Sequence, residues 1–250
     1  MKLKLVLFLS TITLFAQAQR IAPDQEKVKG GELIIQPITH ATLVLTYQKK
    51  NIYIDPTGGA AAFKGLQAPD VILITDIHGD HFDPQTIGAI NTTKATLIVP
   101  QAVADKLPAT IDKQKLIILN NGDTTNQAGI SISAVPMYNL PGSENANYHT
   151  KGRGNGYILE IGGKKVYISG DTADTPEMRA LKNIDIAFVC MNLPYTMDVN
   201  AAAKAVLAFK PKAVYPYHYR GQDVKVFKSL VNAGDQNIAV RLRNWYPTLK

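Results

Sequence analysis

The sequence holds one cysteine in 250 residues, so no internal disulfide can close. It has no Cys-x-x-Cys pair, which removes cysteine zinc knuckles and thioredoxin-type redox centres. Charged residues are 19% of the chain, below the usual quarter, and 46% are hydrophobic, which excludes a disordered chain and points to a full core. No apolar run approaches the roughly 20 residues of a membrane-spanning helix, so no transmembrane segment is expected. Basic residues outnumber acidic ones by 27 to 20 without forming a long run, and no nucleic-acid partner is expected. With cysteine this scarce, a bound metal must be held by carboxylates and by some of the five histidines.

Lys2 and Lys4 precede the uncharged run from Leu5 to Phe15, and Ala16-Gln17-Ala18 supplies the small-x-small pattern of a signal-peptidase site. Residues 1–18 therefore read as a secretory signal peptide and 19–250 as a single exported domain, periplasmic or extracellular. Removing the leader takes two lysines and lowers the formal charge from +7 to +5. Residues 20–31 read as a loose lead-in. Short β-rich stretches follow at 32–36, 42–46, 51–54, 71–74, 96–99, 115–119, 130–135, 156–161, 165–168, 184–189, 213–215 and 238–241. Polar turns at Gln48-Lys49-Lys50 and Gly162-Gly163 make the strands they join antiparallel. Helices are expected over 84–91, 175–182, 199–210 and 223–233, opened by Asp83-Pro84, Thr175-Pro176-Glu177 and Asp198, the third stopping at Pro211. Strand meanders alternating with covering helices predict an α/β (α+β) four-layer αββα sandwich.

The apolar run Val71-Ile72-Leu73-Ile74 reads as a buried strand that delivers Thr75-Asp76-Ile77-His78-Gly79-Asp80-His81. Two carboxylates and two imidazoles crowded at a strand end are costly unless a cation neutralises them, so this cluster points to a metal. Three further candidates also lie where strands begin or end. His149 opens the Gly-rich loop before the stretch from Gly156, Asp171 follows Val166-Tyr167-Ile168-Ser169-Gly170, and His218 follows Ala213-Val214-Tyr215-Pro216-Tyr217. Proteins with α/β architecture assemble sites from such loops at one sheet edge.

Taken together, Asp76-x-His78-x-Asp80-His81, His149, Gly170-Asp171-Thr172 and His218 resemble the H-x-H-x-D-H pattern and later ligands of the metallo-β-lactamase-fold hydrolases. The likeness spans residues 32–219. Asp55-Pro56, His149-Thr150-Lys151-Gly152 and Tyr215-Pro216-Tyr217-His218 look most like the branch with ascorbate-6-phosphate lactonases and N-acyl-phosphatidylethanolamine phospholipase D. The resemblance implies two divalent ions, zinc foremost, with manganese or iron also suited to the extra carboxylate. One site would be Asp76, His78, His149 and Asp171, the other Asp80, His81, His218 and Asp171, with Asp171 bridging. The departure is Asp76, where the family usually has histidine. A metal-bridging hydroxide would then attack an ester, lactone or phosphodiester of a small substrate, with Asp80 and Asp171 as the catalytic carboxylates.

Lys151, Arg153 and Arg220 are expected around the cleft, either to hold an anionic substrate group or to balance the ligand carboxylates. Tyr217, Tyr219, Tyr148 and Tyr195 could line it, and His40 reads as a residue beside the metals or on the substrate side, or as core. Cys190 reads as a buried small hydrophobe. Two other readings stand beside the hydrolase: a catalytically silent metal- or ligand-binding protein, and a β-lactamase-type amide hydrolase. Asp171 argues against the latter, because lactamases of this fold generally lack that carboxylate.

Overall fold

A computed structural model describes residues 20–247, so the signal-peptide reading of residues 1–18 falls outside the described residues. Strands β1 (Asp24–Val28), β2 (Gly31–Thr39), β3 (Thr42–Tyr47) and β4 (Lys50–Ile54) form an antiparallel meander. Strands β5 (Val71–Leu73), β6 (Thr96–Val99) and β7 (Leu116–Ile118) extend it in parallel. The second sheet repeats this plan. Its strands β8 (Thr124–Gln127), β9 (Ile130–Met137), β10 (Gly154–Ile161) and β11 (Lys164–Ile168) are antiparallel, and β12 (Ile186–Cys190), β13 (Ala213–Tyr217) and β14 (Ala239–Val240) continue in parallel. The expected antiparallel pairs are present, and their turns explain them. Gln48 and Lys49 both have positive φ, as do Gly162 and Gly163, the geometry of a two-residue hairpin that matches strand twist.

The layering follows from alternation along the strands. Leu43 and Leu45, Ile52 and Ile54, and Val71 and Leu73 face the second sheet, where they meet Ile132, Tyr157, Leu159 and Val166. The residues between them, Val44, Tyr53 and Ile72, face outward under Ile87 of helix α1 (Pro84–Ala89) and Val103 of helix α2 (Gln101–Ala104). On the other side Met178, Val206 and Phe227 of helices α3 (Pro176–Arg179), α4 (Val199–Phe209) and α5 (Val224–Gly234) cover the second sheet. Every residue of β12 and β13 is buried, as expected for parallel strands covered on both faces. The result is the four-layer αββα sandwich.

Helix starts are set by capping. The Asp83 carboxylate accepts from Gln85 N and Thr86 N, Thr175 from Met178 N, and Asp198 from Ala201 N. Helix α4 ends at Lys210 in the left-handed region, just before Pro211. Four elements depart from expectation. The lead-in contains β1, whose residues are polar or half-exposed but pair at the sheet edge. Charge secures it: Asp24 pairs with Arg243, and Glu26 with Arg241 and, at 3.0 Å, Lys164. Strand β8, Thr-Thr-Asn-Gln in sequence, and the single-turn helix α2 carry no apolar period by which they could be read. The 175–182 helix is also shorter, closing after Arg179.

Candidate metal centre

Strand β5 ends beneath a loop whose shape is fixed by Asp55, a fully buried residue in the left-handed region just after β4. Its carboxylate accepts from Thr75 N at 2.7 Å and Thr75 Oγ1 at 2.6 Å, and lies 2.8 Å from His81 Nδ1. That last bond leaves His81 Nε2 pointing the other way, into the cluster. Gly154 permits the close packing below, since a Cβ there would lie 2.8 Å from the Thr75 carbonyl. His40 and His218 also have positive φ, so three of the residues around this loop hold a backbone conformation that side chains seldom adopt.

Asp171, three residues beyond the end of β11 at Ile168, stands at the centre. Its Oδ2 is 3.3 Å from His81 Nε2 and 3.2 Å from His149 Nε2, and its Oδ1 is 3.3 Å from His218 Nε2. His81 Nε2 and His218 Nε2 face one another at 3.1 Å, with the rings stacked. His149 Nδ1 is 3.1 Å from the Tyr195 carbonyl, which can only accept, so Nδ1 carries the proton and Nε2 presents a lone pair. Both His149 Nε2 and Asp171 Oδ1 are buried without a hydrogen-bond partner. Native proteins rarely leave such atoms unsatisfied, and an imidazole–carboxylate set with free lone pairs converging on one point fits a divalent cation. Three groups of ligand atoms have cation-binding spacing: Asp76, His78 and His149; His81, Asp171 and His218; and His40, Asp80 and His218.

The buried acids and imidazoles shift one another's titration. Burial pushes the Asp171 carboxyl up, but His218 and His81 outweigh it and hold it well below the ordinary range. Burial pushes the His81 imidazole down, but Asp171 and Asp55 outweigh it and hold it well above. Asp80 is likewise kept ionised: burial opposes this, and His218 at 3.3 Å and His40 at 2.9 Å prevail.

The cluster opens into a cleft of about 320 Å³ lined by His78, Asp80, Tyr148, His149, Asp171, Asn192, Tyr195 and Arg220. All seven expected ligands are thus brought together, with Asp80 and His78 the two that reach the cleft with exposed side chains. Several expected neighbours are elsewhere. Tyr217 is fully buried, packed edge to face against Phe188 and Trp245, and its hydroxyl accepts from Gly170 N at 3.1 Å, because it ends β13, a strand with both faces covered. Lys151 turns outward to pair with Glu177 over the Tyr138 ring and does not line the cleft. Arg153 lies against Asp76, and Tyr219 donates to the Arg243 carbonyl, leaving Arg220 as the arginine at the cleft. His40 is buried, bonded to Asp80 and, at 2.7 Å, to Tyr246. Cys190 is buried, its thiol pushed up to about 12 by burial and by Asp171, and it touches the Thr172 backbone directly behind the centre. Sequence reasoning missed Asn139, Asn192 and Tyr246, polar residues in irregular segments with no ligand spacing to mark them. A larger cavity, about 440 Å³ under α1, offers only Asp112 and Lys115 as charged groups.

The beta-lactamase superfamily domain matches residues 34–218, from within β2 to the last histidine of the cluster. The chain belongs to the beta-lactamase superfamily. A UPF0173 metal-dependent hydrolase of Thermococcus onnurineus is 33% identical over 208 residues, covering 78% of this chain and 89% of that protein. A crystal structure described as a metal-dependent hydrolase of Parabacteroides distasonis is 42% identical, with a TM-score of 0.80 over 88% of this chain and 97% of that one. Igni18, a metallo hydrolase of Ignicoccus hospitalis, shares the fold at 23% identity, with a TM-score of 0.70 over 84% of this chain and 94% of its own. The enzyme is a metal-dependent hydrolase of this superfamily, and its histidine–aspartate clusters are the groups able to hold the metal.

Proposed function

We propose that the enzyme acts outside the cytoplasm and cleaves an ester, lactone or phosphodiester bond in a small substrate seated in the cleft at Arg220. The observation that carries this reading is the buried set His81, Asp171, His149 and His218, with unpartnered lone pairs, opening directly onto that cleft. His81, Asp171 and His218 would hold a divalent cation, with Asp80 and His149 beside them, and so many imidazoles suit zinc, with manganese or iron next. A divalent cation held there supplies Lewis acidity and lowers the pKa of water towards about 7.

The chain's own groups do the rest. Asp80, ionised and facing the cleft, accepts a proton at its carboxylate from attacking water and returns it to the departing oxygen, with His40 fixing its orientation. Arg220 has an exposed side chain at the cleft and offers a fork for a phosphate or carboxylate of the substrate. Tyr148 and Tyr195, half-exposed and packed edge to face 5.1 Å apart, form the apolar wall beside it. Export rests on the charged-apolar-small pattern over residues 1–18; N-terminal sequencing of the natively expressed protein tests it, a start at Gln19 being the expected result and an intact Met1 the result that overturns it.

The test is turnover by purified protein on nitrophenyl ester, lactone and bis-nitrophenyl phosphate panels, before and after chelation. Metal-restored turnover on one of these classes, lost in His81→Ala, is the expected result. Turnover that survives both chelation and His81→Ala overturns the reading.

A further inference from the structure

The two poles of the cluster are neutralised by different means. At one pole Asp76 is fully buried, and Arg153 reaches both its oxygens, Nε to Oδ1 at 3.1 Å and Nη2 to Oδ2 at 3.0 Å. The same guanidinium donates to the Tyr148 carbonyl, which fixes it against the loop. His78 Nδ1 approaches Oδ2 from another side at 2.7 Å. Arg153 therefore donates to both Asp76 oxygens, with the His78 imidazole and, at 3.7 Å, His149 Nε2 also beside Oδ2, and the arginine does not give up its proton. At the other pole the ion-pair partners of Asp171, among the described residues, are three imidazoles and no lysine or arginine. Imidazoles can surrender protons to a cation, and it is here that Asp171 Oδ1, 3.3 Å from His218 Nε2, has no hydrogen-bond partner and that His81 and His218 meet nitrogen to nitrogen. A second dication beside Asp76 would have to sit against a permanent positive charge and compete with it for the same carboxylate.

We propose that Arg153 stands where a cation would otherwise bind beside Asp76, so that the centre holds one tightly bound divalent ion, on His81, Asp171 and His218, rather than two. Arg153 is then the residue that sets metal stoichiometry, paired with the aspartate that replaces the family's usual histidine. The inference rests on the reading that this cluster is the metal centre.

The test is metal counting on the purified protein. Metal-free wild type, Arg153→Met and the double variant Asp76→His with Arg153→Met are titrated with zinc by calorimetry, and metal retained after dialysis is measured. Wild type is expected to retain one equivalent, and both variants two, the second bound at least about tenfold more tightly than any second ion in wild type. Cobalt-loaded wild type should give the electron paramagnetic signal of an isolated ion and the double variant that of a coupled pair. Two tightly held equivalents in wild type overturn this proposal while leaving the metal centre standing, whereas no retained metal overturns the reading beneath it as well. One equivalent in both wild type and the folded variants shows that Arg153 does not set the count. If Arg153→Met fails to fold, the double variant decides.

Discussion

The floor of the site and its wall are built differently. The floor, His81, Asp171, His218 and His149, is buried, and His81 is held from behind by Asp55 through strands of the first sheet. The wall, His78, Tyr148, Tyr195 and Arg220, stands on loops with partly or fully exposed side chains. Groups buried in a bonded network have one available geometry, which suits holding a metal. Groups on exposed loops can differ without disturbing that network, which suits selecting a substrate.

The largest break should come from the floor. Asp171→Asn and His81→Ala should each reduce turnover by at least about a hundredfold and lower zinc affinity, with kcat falling rather than KM rising, as steady-state kinetics and zinc titration will read. One step back, Asp55→Asn keeps the shape but no longer fixes the His81 ring, and zinc affinity should fall by roughly 10- to 100-fold. A wall change should look different: Arg220→Met should raise KM for an anionic substrate by about tenfold while leaving kcat and zinc affinity near wild type, and should do little with a neutral ester. A floor variant that acts on KM alone, or a wall variant that strips the metal, breaks the distinction.

The smallest effect lies far from the site, at the β1 edge. Burial raises the Glu26 carboxyl, but Arg241 and Lys164 outweigh it, so its folded pKa lies below the ordinary one. A depressed carboxylate stabilises the fold above its unfolded pKa, about 4.3, and that stability is lost as pH falls through the lower folded value. Glu26→Gln should therefore cost about 0.5–1 kcal/mol in urea unfolding near pH 7, and the gap to wild type should narrow well below about pH 4. Turnover should not change.

Much of this was legible because chemistry and apolar pattern coincide along the chain. His81, Asp171 and His218 each follow an apolar run that is a buried strand, so position in sequence gave position at the sheet edge. Alternation with both faces buried gave the two sheets and their covering helices. Contacts across long sequence distance were not legible. Nothing near Arg153 marks Asp76 as its partner, 77 residues away, and nothing near β1 announces Arg241 and Arg243. Tyr217 adjoins His218 in sequence, yet it is the last residue of β13 and packs into the core, while the chain turns at His218 with positive φ and sends that ring to the cluster. Lys151 likewise adjoins the His149 loop but is drawn off by Glu177 on helix α3.

The most direct measurement is the anomalous scattering of a zinc-loaded crystal at the zinc edge. One strong peak within bonding distance of His81, Asp171 and His218, with the Arg153–Asp76 pair intact, is the expected result. A peak of equal height between Asp76, His78 and His149, with Arg153 displaced, contradicts it.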